Sequence, residues 1–414
     1  MSRFQYLLLF VVITISCSKN GITPPPVNES SNLIGTSAIQ FQVVKNLEGI
    51  YSLKGGSTAL GSNFVCKISK TRVSFFSNDR GLFFILSYGF KQQDSSIQFA
   101  GFWRLSEFAT QNNIQLSIAS NQGASDLMNN RLPATLVIKG TFLDEHGQNQ
   151  SVELSFTRHF SDYVRNHEFT IFAHHGVQTT ANPPYAQNSL NGVKHDEDYG
   201  VDGIEFDVHL TKDNVPICIH NPSIDISLTK KSPLSGDYIQ YSFRFLQEYI
   251  QLVDGQRIPS VEQALQAFID STNMKYMWLD VKGDPDIFKY LETVVRNAYG
   301  HAAAVGRNVE IIADIPSGKV IDEFKAWPAY SNLPSMCELS MQDVIDLGCK
   351  YFGPRYSQGL LTEDVNKAHS MGIKVFSWTL NSKTLITDYI QHGNFDGMIT
   401  DYPAYAVYEY YTTH

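Results

Sequence analysis

The chain has 414 residues, 43% of them hydrophobic, with 32 Lys+Arg against 41 Asp+Glu and a net charge of -9. This length suffices for two domains with full cores. The acidic balance excludes nucleic acid as the main partner, because binding a phosphate backbone needs a basic surface.

The chain opens on "MSRFQYLLLFVVITISCSKN", with Arg3 ahead of an apolar stretch over residues 6–15. The stretch is too short to span a bilayer as a mature helix. It ends at Ser16-Cys17, which resembles the lipobox of bacterial lipoproteins. Residues 1–17 are therefore expected to be a lipoprotein-type signal peptide. Acylation of Cys17 would make the protein an exported membrane lipoprotein facing the periplasm or the cell surface. Residues 18–32, "SKNGITPPPVNESSN", read as a flexible Pro/Ser/Asn tether.

Residues 33–161 read as all-β. "NFVCKISKTRVSFFSNDRGLFFILSYGF" holds β-branched and aromatic runs broken by a turn signal. "SVELSFTRHF" alternates Val152, Leu154 and Phe156 with polar residues, the period of a half-buried strand. Strands spaced this closely predict a β-sandwich or small barrel of roughly eight strands. Phe75, Phe76, Phe83, Phe84, Phe102 and Trp103 are expected to pack its core. Cys66, Cys218, Cys337 and Cys349 lack metal-type spacing and sit in apolar runs, so buried thiols are expected.

From residue 166 to 414 the rhythm changes. "FTIFAHHG", "GIEFDVHL", "YMWLDVKG", "VEIIADI", "MCELS", "KYFGPRY", "IKVFSWTL" and "FDGMITD" are strand-like runs separated by helical ones. One of the helical runs is "SVEQALQAFIDST", with Ser260 placed as its cap. Eight such units predict a (β/α)8 TIM barrel, whose functional groups sit at the C-terminal strand ends. There the second strand carries Glu205 and Asp207 on one face, with His220 thirteen residues beyond Asp207. The third ends in Asp280 and Lys282, and the first in His174-His175-Gly176. Converging carboxylates repel unless a cation relieves them, and an all-oxygen set suits Mg²⁺ or Ca²⁺. A metal, a lysine and two histidines make a plausible phosphoryl-transfer site. His209 shares the Asp207 face and could orient a ligand from behind, whereas His195, His301, His369 and His392 read as surface or packing residues. Arg355, just after strand six, could offset the mouth's charge or pair with a carboxylate there.

These motifs resemble the glycerophosphodiester phosphodiesterase family over residues 169–404. His174-His175-Gly176 stands where the family has His-Arg-Gly, and Gln187-Asn188-Ser189 where it has Glu-Asn-Thr. Glu205, Asp207, Thr211, Asp213 and His220-Asn221 follow its Glu-x-Asp, Thr-x-Asp and His-Asp series. "RIPSVEQAL", Asp280 with Lys282, Trp378-Thr379-Leu380-Asn381 and Thr400-Asp401-Tyr402-Pro403 complete the order. The resemblance implies that His174 and His220 are the acid/base pair and that Glu205, Asp207 and Asp280 hold the metal. It implies that His175, Gln187, Lys282 and Trp378 face the substrate. The expected reaction splits a glycerophosphodiester, a small or lipid-derived phosphodiester, into an alcohol and glycerol phosphate. His175, Gln187, Asn221 and Asp280 depart from the family pattern. Asp280 is similar to the aspartate of sphingomyelinase-D-like relatives. Two other readings therefore stay open: phospholipase-D-like action on lysolipids or sphingolipids, and a non-catalytic surface binding protein.

Overall fold

The computed structural model describes residues 21–26, 33–56, 60–77, 80–108, 110–177 and 183–414. The expected signal segment with Cys17, and most of the tether, lie outside them. Residues 21–26 of the expected tether are anchored. Arg104 Nη1 donates to the Thr23 carbonyl at 3.0 Å, Gln111 Nε2 to the Pro24 carbonyl at 2.8 Å, and Thr23 N to the Pro183 carbonyl at 3.1 Å. A Pro-rich segment has no regular structure to occupy its carbonyls, so they remain available as acceptors.

Strands β1 (Gly49–Gly56), β2 (Asn63–Ile68), β3 (Val73–Phe76), β4 (Leu82–Lys91), β5 (Ser96–Leu105), β6 (Gln111–Ile118), β7 (Val137–Leu143) and β8 (Asn149–Arg158) pair in chain order, and β8 returns to β1. Of the two architectures the sequence allows, the closed antiparallel barrel is the one adopted. Gly101 lets the chains approach closely, since a Cβ there would lie 1.9 Å from the Ile85 carbonyl oxygen. Alternation sends Phe75, Phe84 and Trp103 into the barrel core. It sends Phe76, Phe83 and Phe102 to the outside, where they join the core of the second domain. Phe83 meets Tyr199 edge-on, ring centroids 5.3 Å apart. All six aromatics are packing residues, as expected, but they serve two cores. Polar contacts tie the same junction, with Lys67 Nζ 2.7 Å from the Gly200 carbonyl and 2.8 Å from Asp202 Oδ1.

The second domain contains β9 (Thr170–Ala173), β10 (Gly203–Leu210), β11 (Pro216–Cys218), β12 (Tyr276–Val281), β13 (Glu310–Ile315), β14 (Ser335–Cys337), β15 (Tyr351–Phe352), β16 (Lys374–Ser377) and β17 (Gly397–Thr400). Eight of these run parallel and close into a TIM barrel through β17–β9 and β9–β10 pairing, while β11 adds antiparallel to the end of β10. The helix Val261–Ser271 shows how local sequence sets the shell. Ser260 Oγ accepts from Gln263 N and Gln263 Oε1 accepts from Ser260 N, a complete capping box. Val261, Ala264, Leu265, Phe268 and Ile269 then fall on one buried face. The four described cysteines are free and buried.

Below the barrel, Glu168 accepts from Lys275 and Lys374 at 2.7 Å each and from the Tyr276 hydroxyl at 2.9 Å. Burial alone would raise its pKa, but the two ammonium groups and the hydroxyl outweigh that and hold it at about 2. A depressed carboxylate contributes stability above its ordinary range, near 4.5, and loses it as pH falls through about 2. The side chain is 43% exposed, so solvent limits the contribution to about 1 kcal/mol or less. Glu168→Gln is expected to lower stability in urea denaturation at pH 7, with the gap to the wild type narrowing as pH falls towards 2. An equal gap at both pH values would contradict this.

Candidate active site

Residues on one face of a strand recur every second position. Phe172, Trp278, Ile312, Met336, Phe376 and Ile399, one from each of six strands, form a packed floor inside the barrel. On β10 the floor position is Gly203, where a Cβ would stand 2.7 Å from Phe172 Cδ1. Two residues further along each strand the chain reaches the mouth. There the inward positions are His174, Glu205, Asp280, Asp314, Glu338, Trp378 and Asp401, with Asp207 one step higher on β10.

Parallel pairing of β10 with β12 sets Asp207 beside Asp280. Glu205, Asp207 and Asp280 each offer an oxygen within 4.8 Å of the others. Lys282 Nζ lies 2.7 Å from Asp207 Oδ1 and also contacts Asp280. Asn188 clamps Asp207 from behind, donating Nδ2 to Oδ2 at 2.7 Å and accepting from the Asp207 N–H at 2.9 Å. Burial would raise Asp207, but His175 and Lys282 hold it well below the usual carboxylate range. Burial pushes Asp280 up, and the neighbouring Asp207 and Glu205 charges add to the rise. Glu205 Oε1 and Asp280 Oδ1 are buried without a hydrogen-bond partner. Uncompensated carboxylate oxygens converging in this way fit a bound divalent cation.

The histidines arrive by different routes. His174, at the end of β9, has Nδ1 2.7 Å from Asp401 Oδ1. Asp401 is itself held by Asn381, which donates Nδ2 to Oδ2 and accepts the Asp401 N–H at 2.8 Å. His220 returns on the β10–β11 hairpin. The Thr211–Val215 turn reverses the chain, and the Ile219 N–H donates to the Asp207 carbonyl at 3.1 Å. His220 Nδ1 lies 2.8 Å from Asn221 Oδ1, and Asn221 Nδ2 donates to Asp225 at 2.9 Å. His175 is buried between them, its ring centroid 3.6 Å from that of His174 and 4.9 Å from that of His220. His209 touches none of the three carboxylates. It sits 2.9 Å from Asp284 Oδ2 and 3.3 Å from the His220 carbonyl, bracing the returning chain.

The mouth thus collects His174, His175, Glu205, Asp207, His220, Asp280 and Lys282. Trp378 stands at its rim, with Nε1 donating to the Gly353 carbonyl at 2.7 Å. The Arg355 guanidinium lies over the Trp378 ring at 5.4 Å from its centroid. Gln187 is half-buried beside Asn188. Sequence reasoning assigned no role to Asn188, Asp401, Asp314 or Glu338. Asp314 is fully buried and accepts from Trp278 Nε1 at 3.1 Å. Burial and the Asp280 charge raise Asp314 although its hydrogen bond with Glu338 pulls it down, and burial, the Asp314 charge and that hydrogen bond push Glu338 up, so the pair retains a proton where lone carboxylates would be ionised. Counting two residues on from each floor position would have found both.

The family model described as the glycerophosphoryl diester phosphodiesterase family matches residues 174–327. A glycerophosphodiester phosphodiesterase of Bacillus altitudinis is 25% identical over 254 residues, 57% of this chain and 96% of that protein. One from Caldanaerobacter subterraneus subsp. tengcongensis is 25% identical over 250 residues, 56% of this chain and 94% of that protein. A crystal structure of a glycerophosphodiester phosphodiesterase from Parabacteroides distasonis covers 60% of this chain and 98% of its own, at TM-score 0.47 and 22% identity. An Oleispira antarctica phosphodiesterase solved with the product sn-glycerol-3-phosphate covers 58% of this chain and 96% of its own, at TM-score 0.45 and 18% identity. The family match begins at His174 and runs through both carboxylate strands, so this barrel is similar to those of the glycerophosphoryl diester phosphodiesterase family.

Proposed function

We propose that the barrel hydrolyses glycerophosphodiesters to an alcohol and glycerol phosphate with a divalent cation and two histidines. One observation carries the reading: three carboxylates, a lysine and the histidines meet at a single barrel mouth. Glu205, Asp207 and Asp280 would hold the cation, whose charge would offset that of the phosphoryl oxygens. Those carboxylates acting alone suit Mg²⁺ or Ca²⁺. Lys282 adds a second positive charge on the same side. The Asn221 amide oxygen accepts from Nδ1–H of His220, leaving Nε2 with a lone pair to take the proton of the attacking oxygen. Asp401 stabilises His174 when that ring carries a second proton, which suits His174 to protonate the leaving alcohol. Gln187 and Trp378 border the approach of the alcohol group. A lipid anchor on Cys17 would hold the enzyme on a membrane surface.

The full chain and a Cys17→Ser variant test both parts in one experiment. Release of choline from glycerophosphocholine and of inositol from glycerophosphoinositol is followed with added divalent ions and with chelator. Cation-dependent release by both proteins is expected, with only the Cys17 form partitioning to membranes. No release from either substrate would overturn the catalytic reading. A Cys17→Ser protein that stays in the membrane fraction would overturn the anchor.

A further inference from the structure

We infer that His175 is a ligand of the bound cation, which makes the centre a mixed nitrogen–carboxylate site selecting a later first-row transition ion such as Zn²⁺ or Co²⁺. The inference rests on the carboxylate centre proposed above and specifies its chemistry. Three observations support it.

The first is the backbone. His175 has φ 53, the left-handed region that a non-glycine residue rarely adopts. Its N–H donates to Glu205 Oε2 at 2.9 Å. The turn therefore folds the ring back over the carboxylates. The second is burial: the side chain is 10% exposed, with Glu205 at 3% and Asp207 at 0%.

The third observation is geometry. His175 Nδ1 lies 2.8 Å from Asp207 Oδ2 and 3.2 Å from Glu205 Oε2. The nitrogen is buried, and in the metal-free chain it meets both oxygens as the charged partner of an ion pair, the place a cation would take. Nitrogen and oxygen ligands at about 2.0–2.2 Å from a common ion are separated from each other by about 3 Å. The Nδ1···O spacings are those of neighbouring ligands. One His175 nitrogen lies within 4.8 Å of ligand atoms of His174 and Glu205, and one within 4.8 Å of those of Asp207 and His220. Glu205 and Asp207 also belong to the carboxylate group with Asp280. An imidazole nitrogen is a borderline donor, suited to later first-row ions such as Zn²⁺ and Co²⁺ and poorly matched to Mg²⁺ or Ca²⁺, which take oxygen ligands.

Metal binding itself is the readout. Isothermal titration of the metal-free full chain with Zn²⁺, Co²⁺ and Mg²⁺ is compared for the wild type, His175→Ala and Asp207→Asn. X-ray absorption of the Zn²⁺ form counts imidazole ligands. Carboxylates alone also favour Zn²⁺ over Mg²⁺, so the variant comparison is decisive. His175→Ala is expected to weaken Zn²⁺ and Co²⁺ binding at least about 10-fold, with Mg²⁺ binding changed much less and one imidazole lost from the absorption spectrum. His174→Asn and His220→Asn are expected to keep that imidazole. Where His175→Ala does not fold, a wild-type spectrum without any imidazole overturns the inference. Unchanged Zn²⁺ affinity and ligand count in a folded His175→Ala overturn it while Asp207→Asn loses the metal. An Asp207→Asn protein that binds metal like the wild type overturns the carboxylate centre itself.

Discussion

His220→Ala is expected to lower turnover of glycerophosphodiesters by about 10²–10⁴-fold, the usual range for loss of a general base, with little change in thermal stability. The ring is exposed and its Nδ1 faces the Asn221 side chain at 2.8 Å. Donation of Asn221 Nδ2 to Asp225 Oδ2 at 2.9 Å sets the amide orientation, so the group facing the ring is an oxygen. An amide oxygen only accepts, so Nδ1 carries the proton and Nε2 the lone pair. Exposure and few packing contacts predict that alanine costs little stability. His174→Ala is expected to cause a similar loss. The double variant should fall little below either single one, because residues acting in one proton pathway are not additive. Steady-state kinetics on glycerophosphocholine decide it, and full activity in His220→Ala would falsify the mechanism.

Asp401→Asn is expected to lower kcat by about 10²-fold or more while moving KM less than about 3-fold. His174 donates Nδ1–H to Asp401 Oδ1 at 2.7 Å. An amide in that place carries no charge and can turn its NH₂ towards Nδ1, so the doubly protonated ring that must give a proton to the leaving alcohol loses its stabilising partner. This is the logic by which a buried carboxylate orients a catalytic histidine in hydrolase triads. The asparagine keeps the contacts to Asn381, so a purely structural role predicts almost no loss. Asn381→Ala, which removes only the support of Asp401, should give a smaller drop in kcat. A fall in kcat/KM caused wholly by KM would show that Asp401 binds substrate and does not orient His174.

Much of this site was legible in the chain. Glu205 and Asp207 share a strand face because the period is two, and Asp280 falls beside them because parallel strands pair in register. His220 follows at the distance needed for a strand end, a turn and a return. The runs read as β9, β10 and β12 to β17 are the parallel strands of the barrel. The same rule, applied from the floor residues upward, reaches Asp314 and Glu338. They stand apart from any recognisable motif, so nothing but parity marks them.

Local periodicity therefore determined which residues face the barrel interior and which end of each strand carries chemistry, because both depend only on neighbours along the chain. Closure decided the rest. Asp401 meets His174 across 227 positions only because β17 pairs with β9. Asn188 reaches Asp207 only once its loop folds over the mouth. The choice of barrel over sandwich in the first domain depends on β8 finding β1. The outward aromatics Phe76 and Phe83 find a second core only when the domains pack together. His175 is the clearest case. In the chain it is one residue after a catalytic candidate, and the resemblance implies only that it faces the substrate. A left-handed backbone turn, and two carboxylates delivered by a different strand, set its Nδ1 between 2.8 and 3.2 Å from both. Contacts of that kind join residues far apart in sequence, so no pattern of neighbouring residues encodes them and only the folded chain brings them together.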